Sequence, residues 1–323
     1  MIGIGTTKKA AKIVADIGES WIETVLSAES ISSFEPVSEA NTFDLEYWSL
    51  EQAKISKQKY NKFTGKIVLV TGAAGSIGAQ ISKDFKENGA EVILLDISEK
   101  RLLKTASDFD SEVKFYKCDL TNKSDIEETF KKIIIDFGGI DIIVSNAGAA
   151  FECDLEKLDI KLFEKSMKIN LFSHHHISQE AIKIFKAQDY KEKKEKNKLG
   201  GQLLFNISKQ ALNPGPNFGS YGIAKAALLA LMKQYALEAA GSKIRSNGIN
   251  ADRIKSGLLD EELIKKRAKS RGVSEDQYMR GNLLKAEVKP KDVSNAFISL
   301  ALMEKTTGAI LTVDGGNVAA MVR

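Results

Sequence analysis

The sequence is poor in the residues that crosslink or interrupt a fold. Of its 323 residues, two are cysteine and four are proline. Two cysteines in different segments, Cys118 and Cys153, do not make a disulfide framework, and they fit a reducing cytoplasm. No apolar run approaches the ~18 residues that span a bilayer. The N-terminus also lacks the apolar core of a signal peptide, so we expect a cytoplasmic protein that contacts no membrane.

Strong charge and metal-binding patterns are also missing. The 47 Lys and Arg residues are nearly balanced by 43 Asp and Glu residues, and no arginine-rich face appears, so no nucleic-acid partner is expected. The three histidines, His174 to His176, are consecutive, and consecutive helical residues point in different directions. We therefore expect no metal site and interpret the histidines as helix-surface or interface residues. The lysine-rich stretch 186–198 is expected to be a solvated helix end and loop.

A strand, a glycine-rich turn and a helix follow one another after residue 66. Ile67 to Thr71 is a short apolar run, and glycines then precede a segment with helical spacing. Such glycines let the backbone approach a pyrophosphate, which the free N–H groups of the helix N-terminus can bind. The next strand ends in Asp96, eighteen positions beyond Gly78. A carboxylate there accepts hydrogen bonds from ribose hydroxyls and repels a 2′-phosphate, which favours NAD over NADP. The alternative is that Asp96 only caps the next helix.

Candidate catalytic residues lie between Phe205 and Lys225. Ser208 follows an apolar strand, Tyr221 comes thirteen positions later, and Lys225 four after that. Positions four apart share a helix face, so the ammonium of Lys225 should lie beside the phenol of Tyr221. Lowering a tyrosine pKa from about 10 to about 7 takes ~4 kcal/mol, and the resulting group would serve as a general acid or base. Because Y-x-x-x-K is common by chance, the assignment depends on the separate cofactor signal.

Apolar strands alternate regularly with helical segments from Phe63 onward. This alternation predicts an α/β fold with a doubly wound parallel sheet, a Rossmann fold, covered by helices on both faces. We place the sheet domain at 63–323 and a helical N-terminal extension at 1–62, with an amphipathic helix from Lys8 to Ala28. Ligands of such sheets bind beyond the carboxyl ends of the strands. Strands are expected near 66–71, 91–95, 113–117, 140–145, 202–207, 244–250 and 309–313.

Taken together, these motifs resemble the short-chain dehydrogenase/reductase family, classical type, across roughly Phe63 to Val322. The resemblance implies that Asn170 anchors a water relay to the lysine, so the catalytic set is Asn170, Ser208, Tyr221 and Lys225. It also implies that Asp119 and Leu120 contact the adenine and that Ser256 contacts the nicotinamide amide. The motifs that carry it are Thr71-Gly72 with Gly75 and Gly78, Asp96, Cys118-Asp119-Leu120, Asn146-Ala147-Gly148, Asn170, Ser208/Tyr221/Lys225, Thr307-Gly308 and Val313-Asp314-Gly315-Gly316. The expected cofactor-binding residues are Gly72, Gly75, Ser76, Ile77, Gly78, Asp96, Asp119, Leu120, Asn146, Ala147, Gly148, Tyr221, Lys225 and Ser256.

Two positions depart from the family pattern. Ser76 stands where the classical pattern has glycine, and the spacing also matches the extended subfamily of nucleotide-sugar epimerases and dehydratases. The Ser-to-Tyr spacing and the Asn146 turn favour the classical type. Ala251-Asp252 replaces the usual Pro-Gly, which leaves the turn after that strand undetermined. The following stretch, from Gly257 to Leu284, is charged and helical and is the expected substrate lid.

The N-terminal segment, from Asp44 to Lys54 above all, looks like the junction in bifunctional proteins that fuse a class II aldolase to a short-chain dehydrogenase. The aldolase body is absent from the sequence, so we expect either a truncated product or a stand-alone relative that kept the linker. Phe43, Tyr47 and Trp48 are able to anchor this segment on another surface, and a separate aldolase is a candidate partner. The family resemblance further implies a homo-oligomer, a tetramer or a dimer.

The function predicted from these features is NAD-dependent hydride transfer to or from a secondary alcohol or carbonyl of a sugar- or polyol-like substrate. Tyr221 would move the alcohol proton, and Ser208 would hydrogen-bond the substrate oxygen. Two alternatives remain at this point. One is an extended-type epimerase or dehydratase that keeps its NAD tightly bound. The other is a non-catalytic partner module of an aldolase.

Overall fold

The computed structural model describes residues 2–5, 8–48, 61–110, 112–191 and 199–317. These residues form two compact units, Met1–Gly65 and Lys66–Arg323.

Among its described residues, the first unit has two helices, α1 (Lys8–Ile31) and α2 (Glu39–Glu46). The predicted helix is confirmed, and it continues three residues past Ala28. The side chain of Ser38 accepts a hydrogen bond from the backbone N–H of Asn41 and so caps α2. One helical turn apart, Phe43 and Tyr47 stack with their ring centroids 4.5 Å from each other.

The second unit is built on a single seven-stranded parallel sheet with the order β3-β2-β1-β4-β5-β6-β7. This confirms the predicted doubly wound α/β fold, and every predicted strand forms within two residues of its expected bounds. Buried strands of parallel sheets are apolar on both faces, and Val68, Leu69 and Val70 of β1 are fully buried. The strands are β1 (Ile67–Thr71), β2 (Glu91–Asp96), β3 (Lys114–Lys117), β4 (Ile142–Ser145), β5 (Gln202–Asn206), β6 (Arg245–Ala251) and β7 (Ile310–Val313).

Helices connect the strands and cover the sheet. Their starts carry the expected capping side chains: Asn122 accepts from the N–H of Ser124, and Asp159 from that of Lys161. Gly138 ends one helix in the left-handed conformation, with φ 77°. These helices are α3 (Ser76–Glu87), α4 (Glu99–Ser107), α5 (Lys123–Phe137), α6 (Ile160–Met167), α7 (Ser173–Lys191), α8 (Gly219–Glu238), α9 (Glu261–Ser270), α10 (Glu275–Met279) and α11 (Pro290–Leu302).

The order of the strands determines where a ligand can bind. From β1 the chain adds β2 and β3 on one side and then returns to place β4 on the other side. The connections on the two sides diverge at the carboxyl ends of β1 and β4, which is the crevice that ligands occupy in open parallel sheets. Two of the predicted cofactor motifs, the glycines after Thr71 and the turn from Asn146 to Gly148, follow these two strand ends.

The segment predicted as a lid contains the two short helices α9 and α10. They share a small apolar cluster of their own, made of Ile264, Ala268, Tyr278 and Met279. The helical character of the segment from Gly257 to Leu284 is therefore confirmed, while the role of this segment as a lid stays a prediction. Of the lysine-rich stretch, residues 192–198 lie outside the described part, and α7 ends at Lys191. Within the described ranges, no helix is both long enough and apolar enough to cross a membrane.

Candidate active site

The turn between β1 and α3 leaves no room for side chains. Gly72 has φ +61°, and a Cβ there would lie 2.9 Å from Cα of Ala147. A Cβ on Gly78 would lie 2.2 Å from the carbonyl oxygen of Gly72. Gly75 caps α3, whose first residues are Ser76 and Ile77, so their backbone N–H groups face the turn. This cradle fits the pyrophosphate of a dinucleotide, because a helix N-terminus and close backbone approach are what that anion requires.

A hydrogen-bond network ties together the ends of three strands. The hydroxyl of Thr71 accepts from the backbone N–H groups of Asn146 and Ala147, at 2.9 and 3.0 Å. The side-chain amide of Asn146 donates to the carbonyl of Thr71 at 3.0 Å, and that of Asn206 donates to Oδ1 of Asn146 at 2.8 Å. The network fixes the turn after β4 relative to β1 and β5. Our sequence analysis missed Asn206, although a short amide two residues before Ser208 at a strand end was a usable signal.

A pocket of about 690 Å³ opens at the carboxyl ends of β1, β2, β3 and β4. It brings together six of the residues predicted to bind cofactor: Gly72, Asp96, Asp119, Leu120, Ala147 and Gly148. Its lining includes glycine and alanine residues and three carboxylates, Asp96, Asp119 and Glu164, which suits a flat base and a hydroxylated sugar. The pocket is therefore a credible adenosine site.

Asp96 is buried at the end of β2 and already has protein partners. Its Oδ2 accepts from the N–H of Ala74 at 3.2 Å, and its Oδ1 accepts from the N–H of Ser98 at 3.0 Å. The guanidinium of Arg101 lies 3.2 Å from the same Oδ1. Asp96 thus lines the pocket and also orders the start of α4. Arg101 was not among the residues predicted from the sequence, because no motif marks it. Its side chain is 59% exposed.

Ser208, Tyr221 and Lys225 lie together at the end of β5. Ser208 lies close enough to Tyr221 to lower the pKa of its phenol, and Nζ of Lys225 is 5.7 Å from the centroid of the tyrosine ring. Lys225 donates to the carbonyl oxygen of Asn206 at 2.8 Å. The side chains of Tyr221 and Lys225 are almost fully enclosed, with 9% and 3% exposure. Three of the four residues predicted to be catalytic thus lie together, with Tyr221 and Lys225 buried and Ser208 half-buried.

The pKa of Tyr221 shifts in the direction opposite to the one predicted from the sequence. Burial raises the pKa of Tyr221, and the neighbouring hydroxyl of Ser208 opposes part of that rise. Burial also lowers the pKa of Lys225 to about 7. The predicted drop in the tyrosine pKa assumed a permanently charged lysine beside it. Burial instead disfavours the charged form of both groups, so the proton on Lys225 is held only weakly near neutral pH.

Asn170 is fully buried inside a five-residue π-helical turn, Lys168–Phe172, between α6 and α7. Its amide exchanges two hydrogen bonds with the backbone of Ala149, at 3.1 and 2.8 Å. A Cβ on Gly148 would lie 3.1 Å from Oδ1 of Asn170 and 3.8 Å from Nζ of Lys225. Gly148 therefore separates the two side chains. Insertions of this kind in helices are frequent at functional sites, and the water-relay role stays a prediction.

The interpretation of the histidines as surface residues is wrong for His174. This side chain is 1% exposed, and its Nδ1 lies 2.6 Å from the hydroxyl of Ser145. Burial, and then the charge of Lys225, hold the pKa of His174 well below its usual value. His175 is half-buried and its Nδ1 pairs with the hydroxyl of Tyr235 at 2.8 Å. Sequence could not show this, because the partners come from β4 and α8. No cluster of metal ligands occurs in the described ranges.

Ion pairs replace Pro-Gly in the turn after β6. Asp252 is buried and lies 3.3 Å from Nζ of Lys209, and its Oδ2 accepts from the amide of Asn317 at 2.7 Å. Arg253 adopts the left-handed conformation, with φ 49°. Further on, Ser256 exchanges two backbone hydrogen bonds of 3.1 Å with Leu259. Its hydroxyl accepts from a backbone N–H at 3.3 Å, and its cofactor contact stays a prediction.

Comparison with known proteins agrees with this geometry. Residues 72–317 match the family model described as enoyl-(acyl carrier protein) reductase. An uncharacterized oxidoreductase of Thermotoga maritima is 30% identical over 80% of this chain and 99% of its own length. The chain belongs to the short-chain dehydrogenase/reductase family. Members of this family use a nicotinamide cofactor, and the match supports the classical type.

Two further comparisons concern the N-terminal unit and the sheet. Residues 1–55 match a model described as aldolase class II, second domain. The uncharacterized oxidoreductase YuxG of Bacillus subtilis is 28% identical over the whole chain, which spans only 48% of YuxG. Among solved structures, the aldohexose dehydrogenase of Thermoplasma acidophilum in ligand-free form is 25% identical. It has a TM-score of 0.65 and covers 78% of this chain and 93% of its own.

Proposed function

We propose that this chain is an NAD-dependent dehydrogenase that transfers a hydride to or from a secondary alcohol or carbonyl carbon of a sugar- or polyol-like substrate. The observation that carries the proposal is the grouping of Ser208, which lowers the pKa of the Tyr221 phenol, with Lys225, whose buried ammonium stands beside the tyrosine ring. A non-catalytic module has no need for an ammonium buried at this position, because burying it is costly.

Each residue of the group has a distinct role. Ser208 holds the substrate oxygen, and Tyr221 exchanges a proton with it, as an acid in reduction and as a base in oxidation. Lys225, with a pKa of about 7, can hold or release a proton at Nζ near neutral pH. When it is charged, it stabilises the phenolate that Tyr221 forms. NAD held by the glycine turn and by Asp96 would supply the nicotinamide that accepts or donates the hydride.

The preference for NAD is supported by the position of Asp96. Its carboxylate lines the pocket where the ribose of the adenosine would lie, and a negative charge there repels a 2′-phosphate. Arg101 opposes this preference, since a guanidinium attracts the same phosphate. Because Asp96 is buried and Arg101 is largely exposed, the carboxylate is the more fixed of the two charges, and NAD is favoured.

The sugar or polyol substrate class is supported by two resemblances. Residues 1–55 match part of a class II aldolase, and the proteins that fuse such an aldolase to a dehydrogenase act on sugar-derived compounds. The solved relative named an aldohexose dehydrogenase points the same way. The family model, by contrast, is described by an acyl-carrier-protein substrate, so acyl thioesters are the main competing class.

A cofactor-turnover assay tests the proposal. The purified chain would be incubated with NAD or NADP and a panel of polyols, aldoses and sugar acids, and with NADH or NADPH and β-ketoacyl thioesters. We expect absorbance of reduced nicotinamide to appear with NAD and at least one polyhydroxylated substrate. Turnover confined to acyl thioesters would contradict the proposed substrate class. Higher kcat/KM with the phosphorylated cofactor would contradict the role given to Asp96.

A further inference from the structure

A buried lysine lies directly next to the catalytic serine. Lys209 follows Ser208 at the carboxyl end of β5, and its side chain is only 13% exposed. The carboxylate nearest to its Nζ is that of Asp252, 3.3 Å away. Arg253 approaches the same carboxylate, with Nε at 3.5 Å. Two cations therefore share one carboxylate, which also accepts the hydrogen bond from Asn317.

A second buried cation approaches the site from the lid segment. The side chain of Arg267 in α9 is 12% exposed, and its guanidinium lies 4.1 Å from the ring centroid of Phe218. Phe218 packs edge-on against Tyr221, with 6.4 Å between the ring centroids. Arg267 is thus separated from Tyr221 by one aromatic ring.

The partner of Arg267 is also shared. Glu152 lies 3.8 Å from the guanidinium but only 2.7 Å from Nζ of Lys266, which is the closer contact. Within the described residues, Nε of Arg267 is buried and has no hydrogen-bond partner. A guanidinium withdrawn from water normally has its N–H groups paired. The Nε–H group of Arg267 is therefore an unpaired hydrogen-bond donor in the part of the chain that the structure describes.

Positive charge therefore prevails near Ser208 and Tyr221, the residues proposed to hold the substrate oxygen. Lys209, Arg253 and Arg267 face two carboxylates, and both carboxylates have additional donors. The pKa of Lys209 is lowered by burial first, and the charges of Arg253 and Arg271 add to this despite Asp252. An anion bound here would supply the negative charge that the protein does not.

We propose that Lys209 and Arg267 bind an anionic group of the substrate, a phosphate or a carboxylate, while Ser208 and Tyr221 hold the oxygen on the reacting carbon. The proposal rests on the proposed function and narrows it to sugar phosphates or sugar acids. Both anions offer several oxygens to a lysine ammonium and to an arginine fork.

Matched substrates and matched charge removals test this subsite. Steady-state kinetics with NAD would compare glucitol, glucitol 6-phosphate and gluconate for the wild type and for Lys209→Met, Arg267→Met and Lys269→Met. Lys269 is an exposed lysine on the same helix as Arg267, so its variant controls for the loss of one positive charge. We expect the first two variants to raise KM for the preferred anionic substrate roughly 10- to 100-fold. KM for glucitol should change little, and Arg267→Lys should keep part of the affinity.

The outcomes distinguish phosphate from carboxylate as the bound group. They also distinguish a failure of the anion subsite from a failure of the proposed function. A wild-type preference for glucitol 6-phosphate identifies the phosphate as the ligand, and one for gluconate identifies the carboxylate. Equal kcat/KM for the neutral and anionic substrates, or equal losses on both in the variants, would overturn the subsite while leaving the proposed function intact.

Calorimetric titration of the NADH-loaded protein with inorganic phosphate measures anion binding without turnover. Phosphate affinity that is lost in Lys209→Met and Arg267→Met but kept in Lys269→Met supports the subsite even if no polyol is oxidised. In that case only the proposed function fails. Phosphate affinity equal in all four proteins would count against the subsite.

Discussion

The two ends of the ligand crevice are built in opposite ways. At the catalytic end, Asn170, Tyr221 and Lys225 are nearly or completely enclosed, and their polar atoms are paired with backbone and neighbouring side chains. At the adenosine end, the groups that discriminate between cofactors stand beside an open pocket, and the guanidinium paired with Asp96 is 59% exposed. Enclosure at one end shifts proton affinities. At the other end, solvent screens the charge of the exposed Arg101 side chain and allows it to change partners.

This difference predicts how mutations at the two ends will behave. A change at the catalytic end removes a group that no water or neighbouring side chain can replace, so its effect on turnover should be large. A change at the proposed adenosine end alters a group that would bind the cofactor but exchange no proton with the substrate, so its effect should be smaller and should appear in cofactor affinity. Four predictions examine that contrast.

Removal of the Tyr221 hydroxyl should have the largest effect. Tyr221→Phe deletes the proton donor and acceptor, and we expect turnover to fall roughly 10²- to 10⁴-fold while NADH binding, measured by fluorescence, is retained. Tyr235→Phe removes a hydroxyl from the same helix, one that pairs with His175 instead, and should stay active. Comparable activity in Tyr221→Phe and the wild type would remove the basis of the catalytic assignment.

Neutralising Asp96 should have a smaller effect, expressed in cofactor choice. Asp96→Asn keeps the size of the side chain but loses the charge that repels a 2′-phosphate and accepts from the ribose. We expect kcat/KM for NAD to fall roughly 10- to 100-fold, since hydrogen bonds to charged groups are worth about 1.5–3 kcal/mol, and the NAD-to-NADP ratio to fall with it. Asp108→Asn, an exposed carboxylate after α4, is the matched control. An unchanged ratio would mean that Asp96 serves only to order α4.

The buried ammonium should appear in stability as a function of pH. Lys225 has a folded pKa of about 7, well below its usual 10.5. Between these values the unfolded chain binds a proton that the folded chain does not, so the free energy of unfolding should rise with pH. The ammonium destabilises the fold most below about pH 7, and the slope contributed above it is at most about 1.4 kcal/mol per pH unit.

Urea denaturation from about pH 6 to about pH 9 measures this contribution as a difference between proteins. Lys225→Met should be more stable than the wild type at the acid end, and that advantage should shrink as pH rises. Lys233→Met, an exposed lysine of the same helix, should follow the wild-type curve. If Lys225→Met and the wild type have parallel curves, Lys225 does not titrate in this window.

The sequence was informative where structure is determined locally. Runs such as Ile67 to Thr71 are apolar and β-branched, and a parallel sheet brings the motifs that follow its strands to one edge, so the sheet and the grouping of Ser208, Tyr221 and Lys225 could be predicted. Burial is a property of the assembled fold. The pKa direction of Tyr221 and the enclosure of His174 depend on elements distant in the chain, and neither could be obtained from spacing.

The smallest effect should come from Arg101. Exposed ion pairs are worth about 0–1 kcal/mol, so Arg101→Met should change the free energy of unfolding by less than that and should leave NAD turnover within a few-fold of the wild type. Its influence should appear with NADP, because the variant loses the cation that pairs with Asp96 beside the proposed ribose site, and kcat/KM for NADP should fall several-fold. Lys100→Met, the exposed neighbour in α4, should not change that constant. If Arg101→Met instead improves NADP turnover, the guanidinium neutralises Asp96 without attracting the 2′-phosphate, and the carboxylate alone determines the preference.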